Sequence, residues 1–255
     1  MSWRIEIANP LALVRELPDG WAQTCFIRPP RDLPTPCLLA ILEDVHRVVR
    51  DDGTLWVALP GRGNAPGVIR SIQETGWLRA NAKTTLSNQA RGEHRAVALF
   101  SKQQAFHFNP RQPLRPAVTG NHDQLCSNSR PPRRNISGAA RRAWCVPTHA
   151  GHTLPPRLIE WCILASTSPH ACGICGTPWK RLPSVPGRTE RWRHACSHTN
   201  GRGSCLVLDP FCGAGAAVIV AAVHLGRSYL GVEQNAEVAT RAQRRLNRAE
   251  REAKR

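Results

Sequence analysis

The sequence contains no apolar segment long enough to cross a membrane. Its longest apolar run, around Val218–Leu225, falls well short of the roughly 20 residues that a spanning helix needs, and it contains His224. The first residues, Met1-Ser2-Trp3-Arg4, lead directly into a strand-like segment, so we expect no secretory signal. Together these shortages predict a cytoplasmic protein that has no membrane partner.

Acidic residues are also scarce. The 255 residues include 18 acidic side chains against 35 lysines and arginines, which gives a formal net charge of +17 and an isoelectric point near 10.8. This excess is larger than an average cytosolic enzyme carries, although a basic surface can also serve solubility alone. The charge balance favours a polyanionic partner, and nucleic acid is the first candidate.

The sequence gives no reason to expect disulfide bonds. Ten cysteines in a chain without an export signal are more typical of reduced thiols or metal ligands. Two pairs of soft ligands, separated by twenty residues, have the spacing of a tetrahedral structural zinc site: Cys172 with Cys175, and Cys196 with His198. Four protein ligands leave no open position for catalysis. His194 and Cys205 are alternative ligands, and a set of unrelated thiols and imidazoles is the simpler interpretation.

One segment combines a strand, a glycine turn and a helix. Cys205–Leu208 is typical of a buried strand, and Ala216–Leu225 is an apolar run of helical length. Between them lies Asp209-Pro210-Phe211-Cys212-Gly213-Ala214-Gly215. A second strand, Ser228–Val232, ends on Glu233. This β-α-β pattern predicts an adenosine-containing cofactor at the carboxyl ends of the strands, where glycines let the backbone approach the ligand and the acid accepts the ribose hydroxyls.

The rest of the sequence alternates between strand and helix patterns. Short or alternating apolar runs predict further strands at Arg4–Ala8, Thr24–Ile27, Thr54–Leu59, Trp77–Thr85 and His94–Ser101. Helical spacing predicts helices at Leu11–Leu17, Pro36–Arg50, Pro66–Thr75, Pro155–Ala165 and Ala236–Lys254. We expect Asp51-Asp52-Gly53 to end the second of these helices. The alternation predicts an α/β fold with a doubly wound, Rossmann-like sheet that has helices on both faces.

Two segments concentrate the positive charge. Between Phe106 and Arg142, five prolines interrupt any regular element and arginines crowd the second half. This composition is typical of a flexible linker or of a loop that contacts a phosphate backbone. In Ala236–Lys254 an apolar stripe is bordered by arginines, and we interpret those arginines as a solvated face.

These elements, in this order, resemble one family: the DNA amino-methyltransferases that make N6-methyladenine or N4-methylcytosine from S-adenosylmethionine. The likeness is to the circularly permuted group, in which the catalytic half precedes the cofactor half. The family's cofactor signature resembles 209–215, its ribose-binding acid resembles Glu233, and its helix start beside the methionine moiety resembles Leu154–Leu158. Some members carry a zinc-like insertion, similar to Cys172–His198, between that helix and the signature.

The resemblance implies an S-adenosylmethionine methyltransferase sheet with a small zinc-binding insertion, and it implies double-stranded DNA as the partner. It divides the chain into a catalytic half at 1–105, a basic loop region for target recognition at 106–150, a cofactor-pocket helix at 151–169, a zinc-knuckle-like insertion at 170–200 and a cofactor-binding half at 201–255. By match to the family, the expected cofactor contacts are Asn9, Asp209, Phe211, Gly213, Gly215, Glu233 and Asn235.

The catalytic loop departs from the family pattern. The family has Ser or Asp, then Pro-Pro, then Tyr or Phe, whereas the matching residues here are Arg28, Pro29, Pro30 and Arg31. In the family's chemistry, acceptors from the first residue and the prolyl backbone hold the amino hydrogens of a flipped base. Arg28 offers only donors, and it would place a cation near both the sulfonium and the developing ammonium. At about 5 Å and an effective dielectric near 20 that repulsion is roughly 3 kcal/mol, on the order of a hundredfold in rate. Arg31 can still stack on a base through its guanidinium plane.

Two functions of different classes therefore stay open. The first is methyl transfer from S-adenosylmethionine to N6 of adenine or N4 of cytosine in DNA, with backbone carbonyls from Pro29 and Pro30. The second is binding of S-adenosylmethionine, DNA or both by a catalytically degenerate member. A methyltransferase that acts on RNA or a small molecule fits the order of parts less well. Because Arg28 replaces the residue that hints at the target, the sequence does not distinguish adenine from cytosine.

Overall fold

The computed structural model describes residues 2–30, 32–58, 65–88, 93–108, 156–183, 191–199, 201–215 and 217–253. Arg31 and 109–150, which includes most of the predicted basic loop region, lie outside these described residues. Within the described ranges, no helix has both the length and the apolar character needed to span a bilayer.

Eleven strands and six helices follow one another in the described parts of the chain. The strands are β1 (Trp3–Ile7), β2 (Ala22–Ile27), β3 (Val49–Ala58), β4 (Leu78–Asn88), β5 (Glu93–Ser101), β6 (Ala171–Cys172), β7 (Lys180–Arg181), β8 (Trp192–Arg193), β9 (Arg202–Gly203), β10 (Leu206–Asp209) and β11 (Ser228–Glu233). The helices are α1 (Pro10–Glu16), α2 (Thr35–Val48), α3 (Ala65–Glu74), α4 (Pro156–Ser166), α5 (Val218–His224) and α6 (Ala236–Ala253).

Seven strands form one mixed sheet in the order β1-β11-β10-β2-β3-β5-β4. The first five are parallel, whereas β5 runs antiparallel to β3 and β4 runs antiparallel to β5. The chain leaves β10 towards β11 and leaves β2 towards β3, in opposite directions across the sheet. The crevice between the carboxyl ends of β2 and β10 is therefore the topological switch point, where α/β sheets bind their ligands.

Helices pack on both faces of this sheet. Along the central strand β2, Cys25 and Ile27 join the core formed with α1, α2 and α3, while Phe26 joins the core formed with α4, α5 and α6. All six residues of β2 are buried. A central strand covered on both sides buries successive residues, and the two polar ones in β2 are hydrogen-bonded: Gln23 to Gly176 and Leu206, and Thr24 to Thr54.

The predicted helices and strands are confirmed within the described residues, with small shifts of their ends, but one boundary is wrong. Helix α2 already ends at Val48, and Asp51-Asp52-Gly53 lie inside β3 instead of ending the helix. A Cβ atom at Gly53 would lie 2.6 Å from Cγ1 of Val49 and 2.8 Å from the carbonyl oxygen of Gln23. The glycine therefore permits close approach of β2 and β3 where their register shifts.

Trp56 anchors the core on the α4 side of β3. It is fully buried, and its Nε1 donates to Oγ of Ser166 at 2.6 Å. Trp56→Ala should lower the free energy of unfolding by about 3–5 kcal/mol because it leaves a large cavity. Leu78→Ala, at an exposed position of β4, should change it by less than about 0.5 kcal/mol. Urea denaturation followed by circular dichroism measures both, and similar losses in the two variants would contradict this placement.

Candidate functional site

Three predicted site segments meet at the carboxyl edge of the sheet. Strand β10 ends on Asp209, β11 ends on Glu233, and β2 ends immediately before Arg28. Because β10 pairs with both β2 and β11, these three ends lie side by side. The glycine turn, the acid at the second strand end and the altered catalytic loop therefore come together as the sequence predicts.

A cleft of about 520 Å³, counting its open mouth, lies at this edge. Its walls come from the end of β2, the glycine turn and the helices α4, α5 and α6. The lining includes three charged side chains and two aromatic rings, together with a glycine of the turn: Arg28, Asp209, Arg245, Phe26, Phe211 and Gly215. A concave, mostly apolar surface with a few polar groups at the switch point of the sheet is typical of a small-molecule site.

Two glycines shape the turn that forms one wall of the cleft. Both have left-handed backbone conformations, with φ of 57° at Gly213 and 68° at Gly215. A Cβ atom at Gly215 would lie 2.2 Å from Cδ1 of Ile219 and 2.8 Å from Cβ of Ala242 in α6. At Gly213 the atom within reach is Nη2 of Arg28, at 3.2 Å. Gly215 is thus required for the packing of α6, while Gly213 keeps the backbone accessible beside the arginine.

The buried side chain of Asp209 stabilises the same turn through a hydrogen bond. One carboxylate oxygen accepts from the backbone N–H of Phe211 at 3.3 Å, and the other accepts from the hydroxyl of Tyr229 at 3.2 Å. Burial raises the pKa of Asp209 to about 7, although the charge of Arg28 and both hydrogen bonds act to lower it. Near neutral pH this carboxyl group therefore carries only part of a negative charge.

Two other predicted cofactor contacts, Asn9 and Asn235, are themselves helix N-caps. Asn235 accepts two N–H groups in the first turn of α6, and its own N–H donates to Oε1 of Glu233 at 2.8 Å. Asn9 caps α1 in the same way. Both asparagines precede helical segments, which is the sequence signal of an N-cap that our sequence analysis did not use. Their predicted contacts with a cofactor stay predictions.

The catalytic loop begins at the mouth of the cleft. Arg28 is exposed, follows β2 directly and reaches over Gly213. Pro29 and Pro30 continue the loop, and the predicted role of Arg31 falls outside the described residues.

A second arginine in the cleft was missed by the sequence analysis. Arg245 lines the cleft and donates from Nη1 to the carbonyl of Ala214 at 2.6 Å. Arg245 is exposed, as expected for the solvated face of α6, but it also contacts the glycine turn. The reason is tertiary, since the contact of Ala242 with Gly215 brings this part of the helix against the glycine turn.

The structure brings the four predicted metal ligands together. Their sulfur and nitrogen atoms all lie within 4.8 Å of one another, in the set Cys172, Cys175, Cys196 and His198. The loop between the first two ligands forms a tight knuckle, in which the N–H of Ile174 approaches Sγ of Cys172 at 3.4 Å and the N–H of Gly176 donates to the Cys172 carbonyl at 3.0 Å. Three thiols and one imidazole at these separations fit a tetrahedral zinc ion.

The electrostatics differ between two of the thiols, because desolvation raises the pKa of Cys196 while hydrogen bonding lowers that of Cys175. The hydrogen bond with the Thr177 hydroxyl, at 3.1 Å, is the main cause that lowers the pKa of Cys175 to about 6. This favours the thiolate form, which is the form that binds metals. The buried Nδ1 of His198 has no hydrogen-bond partner in the part of the chain that the structure describes.

The metal cluster lies at the amino edge of the sheet, away from the cleft. Near the start of β2, Nε2 of Gln23 donates to the Gly176 carbonyl at 2.8 Å. Near the start of β3, Arg50 donates to the Cys175 carbonyl and, at 3.0 Å, to the Thr177 hydroxyl. Because parallel strands begin at this edge and end at the cleft, a strand's length separates the two sites.

The two alternative metal ligands lie outside the cluster. His194 packs on the ring of Trp179, with ring centroids 4.2 Å apart. Cys205 is fully buried, with its Sγ 3.9 Å from Oγ of Ser168.

Two glycines with similar backbone conformations allow the packing of the turn to be tested. Gly20 has φ of 59° and no atom within 4 Å of a built Cβ, whereas Gly215 combines φ of 68° with severe contacts. Gly20→Ala should therefore cost about 1 kcal/mol of unfolding free energy from backbone strain alone. Gly215→Ala should cost about 2–4 kcal/mol because overpacking adds to that strain. Urea titration of both variants makes the comparison, and equal losses would show that α6 does not pack tightly on the turn.

Solved structures with the same fold match almost the whole chain. TTHA0409 of Thermus thermophilus, crystallised with S-adenosyl-L-methionine, aligns with a TM-score of 0.60 and 14% identity over 97% of this chain and 96% of that one. M1.HpyAVI in its SAM complex aligns with a TM-score of 0.58 and 16% identity over 97% and 100%. The cytosine-N4-specific PvuII DNA methyltransferase aligns with a TM-score of 0.64 and 13% identity over 96% and 86%. At these identities the likeness shows a common fold.

The sequence itself also matches a known family. A comparison with curated proteins found no match. Residues 36–244, however, match the profile of the N6/N4 methyltransferases, whose description is DNA methylase. That range covers most of the chain and includes the glycine turn, Glu233 and the metal cluster, while the catalytic loop at 28–31 precedes it. The chain therefore belongs to the N6/N4 DNA methylase family.

Proposed function

We propose that the protein transfers a methyl group from S-adenosylmethionine to the exocyclic amino group of adenine (N6) or cytosine (N4) in double-stranded DNA. The observation that carries this proposal is the cleft at the switch point of the sheet, which joins the glycine turn to the catalytic loop. Family membership supports DNA as the substrate, and the S-adenosylmethionine complexes of two proteins with the same fold support the donor. The net charge of +17 fits a polyanionic substrate. The ten cysteines fit a reducing compartment such as the cytoplasm.

The residues around the cleft fit the adenosyl part of the donor. Gly213 leaves the backbone open, Phe211 offers an apolar ring, and Glu233 stands at the neighbouring strand end where it can accept ribose hydroxyls. Asn9 and Asn235 would complete this set from the ends of β1 and β11. When bound, the donor supplies an electrophilic methyl group.

The catalytic loop would hold the target amine mainly through its backbone. Pro29 and Pro30 have no N–H groups, so this part of the loop presents carbonyl acceptors without competing donors. We propose that these carbonyl oxygens accept hydrogen bonds from the target amino group. Arg31 would stack on the flipped base in place of the usual aromatic ring, and the basic region 106–150 would contact the DNA around it.

One observation favours a second candidate function. Arg28 lines the cleft and carries a positive charge where the reaction develops positive charge on the amine. A protein with this feature would still bind the donor and DNA, but it would transfer the methyl group slowly. The second candidate is therefore a catalytically degenerate member of the family that binds without methyl transfer.

We assign a structural zinc ion to the cluster formed by Cys172, Cys175, Cys196 and His198. Four protein ligands fill its coordination sphere, and Gln23 and Arg50 tie the knuckle to the sheet. The ion would hold the 170–200 insertion to the starts of β2 and β3. It has no part in the reaction, because the cleft lies at the opposite edge.

The methyl-transfer proposal is tested by incubating the protein with methyl-labelled S-adenosylmethionine and duplex DNA of mixed sequence. The native protein should label the DNA, and digestion to nucleosides should reveal N6-methyladenine or N4-methylcytosine. The variant Arg28→Ser/Arg31→Tyr restores the family's loop, and it should be faster by about ten- to a hundredfold because it removes two cations, including the one at 28, and adds an acceptor at 28.

A matched control and two outcomes complete this test. Arg241→Ser/Arg251→Tyr changes two exposed arginines of α6 in the same way and should leave the rate unchanged. Labelling by the restored variant alone would favour the second candidate function. No labelling by either protein, with donor binding retained in calorimetry, would do the same.

The metal assignment predicts about one zinc per purified chain, measured by elemental analysis. Cys172→Ser should lose the ion and lower the melting temperature, because the ion links the knuckle to the rest of the fold. Cys37→Ser, at an exposed cysteine of α2, should keep both the ion and the melting temperature. A well-folded native protein that contains no zinc would refute the assignment.

A further inference from the structure

The residues that line the cleft carry more positive than negative charge. Arg28 and Arg245 both line it, and Asp209 is the acid among the lining residues that the structure describes. Asp209 is 4% exposed, is hydrogen-bonded to Tyr229, and has a pKa of about 7, so its negative charge is only partial near neutral pH. Glu233 stands at the next strand end, where it accepts a backbone N–H. A ligand in the cleft therefore meets two cations and the partly ionised Asp209 among the lining residues, with Glu233 at the neighbouring strand end on its ribose side.

The charge of Arg28 is directed across the cleft towards the glycine turn. Its Nη2 lies 3.2 Å from the place that a Cβ of Gly213 would occupy. The pairing of β2 with β10 keeps the two loops next to each other. The same charge reaches the bottom of the cleft, since it acts on the pKa of the buried Asp209. Arg28 thus faces the space between the turn and the catalytic loop.

We propose that Arg28 makes the cleft select adenosyl ligands with an uncharged sulfur, so that the protein binds S-adenosylhomocysteine more tightly than S-adenosylmethionine. The inference rests on the proposed function, because it requires that the cleft bind an adenosyl ligand. The two ligands have identical adenosine and amino-acid ends. Any attraction of Arg28 for the shared carboxylate cancels in the comparison, and what remains is one methyl group and one positive charge.

The expected preference follows from Coulomb's law. Two unit charges 5–10 Å apart, at the effective dielectric constant of about 20 that applies near a protein surface, change an affinity by roughly ten- to several-hundredfold. Arg28 is exposed, and the partial charge of Asp209 offsets some of its field. The preference should therefore lie near the lower end, at about tenfold.

Such a preference would slow the exchange of the demethylated product for a new donor. After a methyl transfer the demethylated product would remain in the cleft, and a new donor would compete poorly for the same place. The ratio of the two ligands in the surroundings would then set the fraction of protein that carries a usable methyl group. Arg28 is in this sense a specificity-determining residue of the cofactor cleft.

Isothermal titration calorimetry of the full chain with each ligand tests the proposal without any turnover. The native protein should bind S-adenosylhomocysteine about tenfold more tightly than S-adenosylmethionine at low salt, and the ratio should shrink at about 0.5 M salt because screening weakens the repulsion. Arg28→Met should shift the ratio about tenfold towards S-adenosylmethionine, whereas Arg28→Lys, which keeps the charge, should preserve it. Arg251→Met removes an exposed arginine of α6 outside the cleft and should leave the ratio as in the native protein.

A third ligand separates charge from the size of the methyl group. Sinefungin carries a protonated amine near the position of the sulfonium, so the native protein should bind it as weakly as S-adenosylmethionine, and Arg28→Met should bind it more tightly. Equal affinities of the native protein for the charged and uncharged ligands would overturn the inference and leave the proposed function standing. Failure of all three ligands to bind the folded native protein and the folded variants would overturn the proposed function, and the inference with it.

Discussion

The pairing of β10 with its two neighbours is the constraint on which the rest of the structure depends. This four-residue strand is buried, and it is hydrogen-bonded to β2 on one side and to β11 on the other. It joins parts of the chain that are far apart, since the contact of Leu206 with Gln23 spans 183 residues. Parallel pairing aligns the carboxyl ends of all three strands. That alignment places the glycine turn beside the catalytic loop and so creates the cleft.

The two edges of the sheet serve different purposes. The carboxyl edge exposes loops that can bind a ligand, whereas the amino edge is closed by the metal-binding knuckle. Gln23 links the knuckle to the starts of β2 and β10, because its Oε1 accepts from the N–H of Leu206 and its Nε2 donates to the carbonyl of Gly176. A metal ion at the knuckle would therefore stabilise the start of the strand whose other end carries the cleft. In this arrangement the proposed metal would have a structural role and would not contact the proposed reaction.

The fold tolerates the change in the catalytic loop because Arg28 takes no part in either core. Its side chain is exposed, and the buried residues that hold β2 in place precede it. The stability of the sheet depends on apolar burial, which is insensitive to one charge at the surface. The proposed methyl transfer would be sensitive to that charge, since a sulfonium ligand and a developing ammonium would both be repelled by it. Membership of the family and the activity of the site are therefore separate questions in this protein.

Much of the fold and of the site could be predicted from local sequence patterns. The spacing of apolar residues in Thr35–Val48 marks a helix, because a helix on a core buries every third to fourth residue. Ser228–Glu233 is marked as a strand by a short, nearly continuous apolar run, because the sheet buries its first five residues on both faces. The metal ligands were equally accessible, since each pair is close in sequence and twenty intervening residues close easily into a loop. The glycine turn and its acid were found for the same reason.

Only the tertiary structure decided which side chains face one another across the cleft. Periodicity shows that α6 has a buried stripe, but it does not show that the stripe packs on Gly215 and carries Arg245 to the cleft. Likewise, the sequence shows an arginine in the catalytic loop, while the contact of Arg28 with Gly213 depends on the pairing of β2 with β10. The partial charge of Asp209 depends on its burial. These properties depend on distances between segments far apart in the chain, and a local pattern of residues carries no information about such distances.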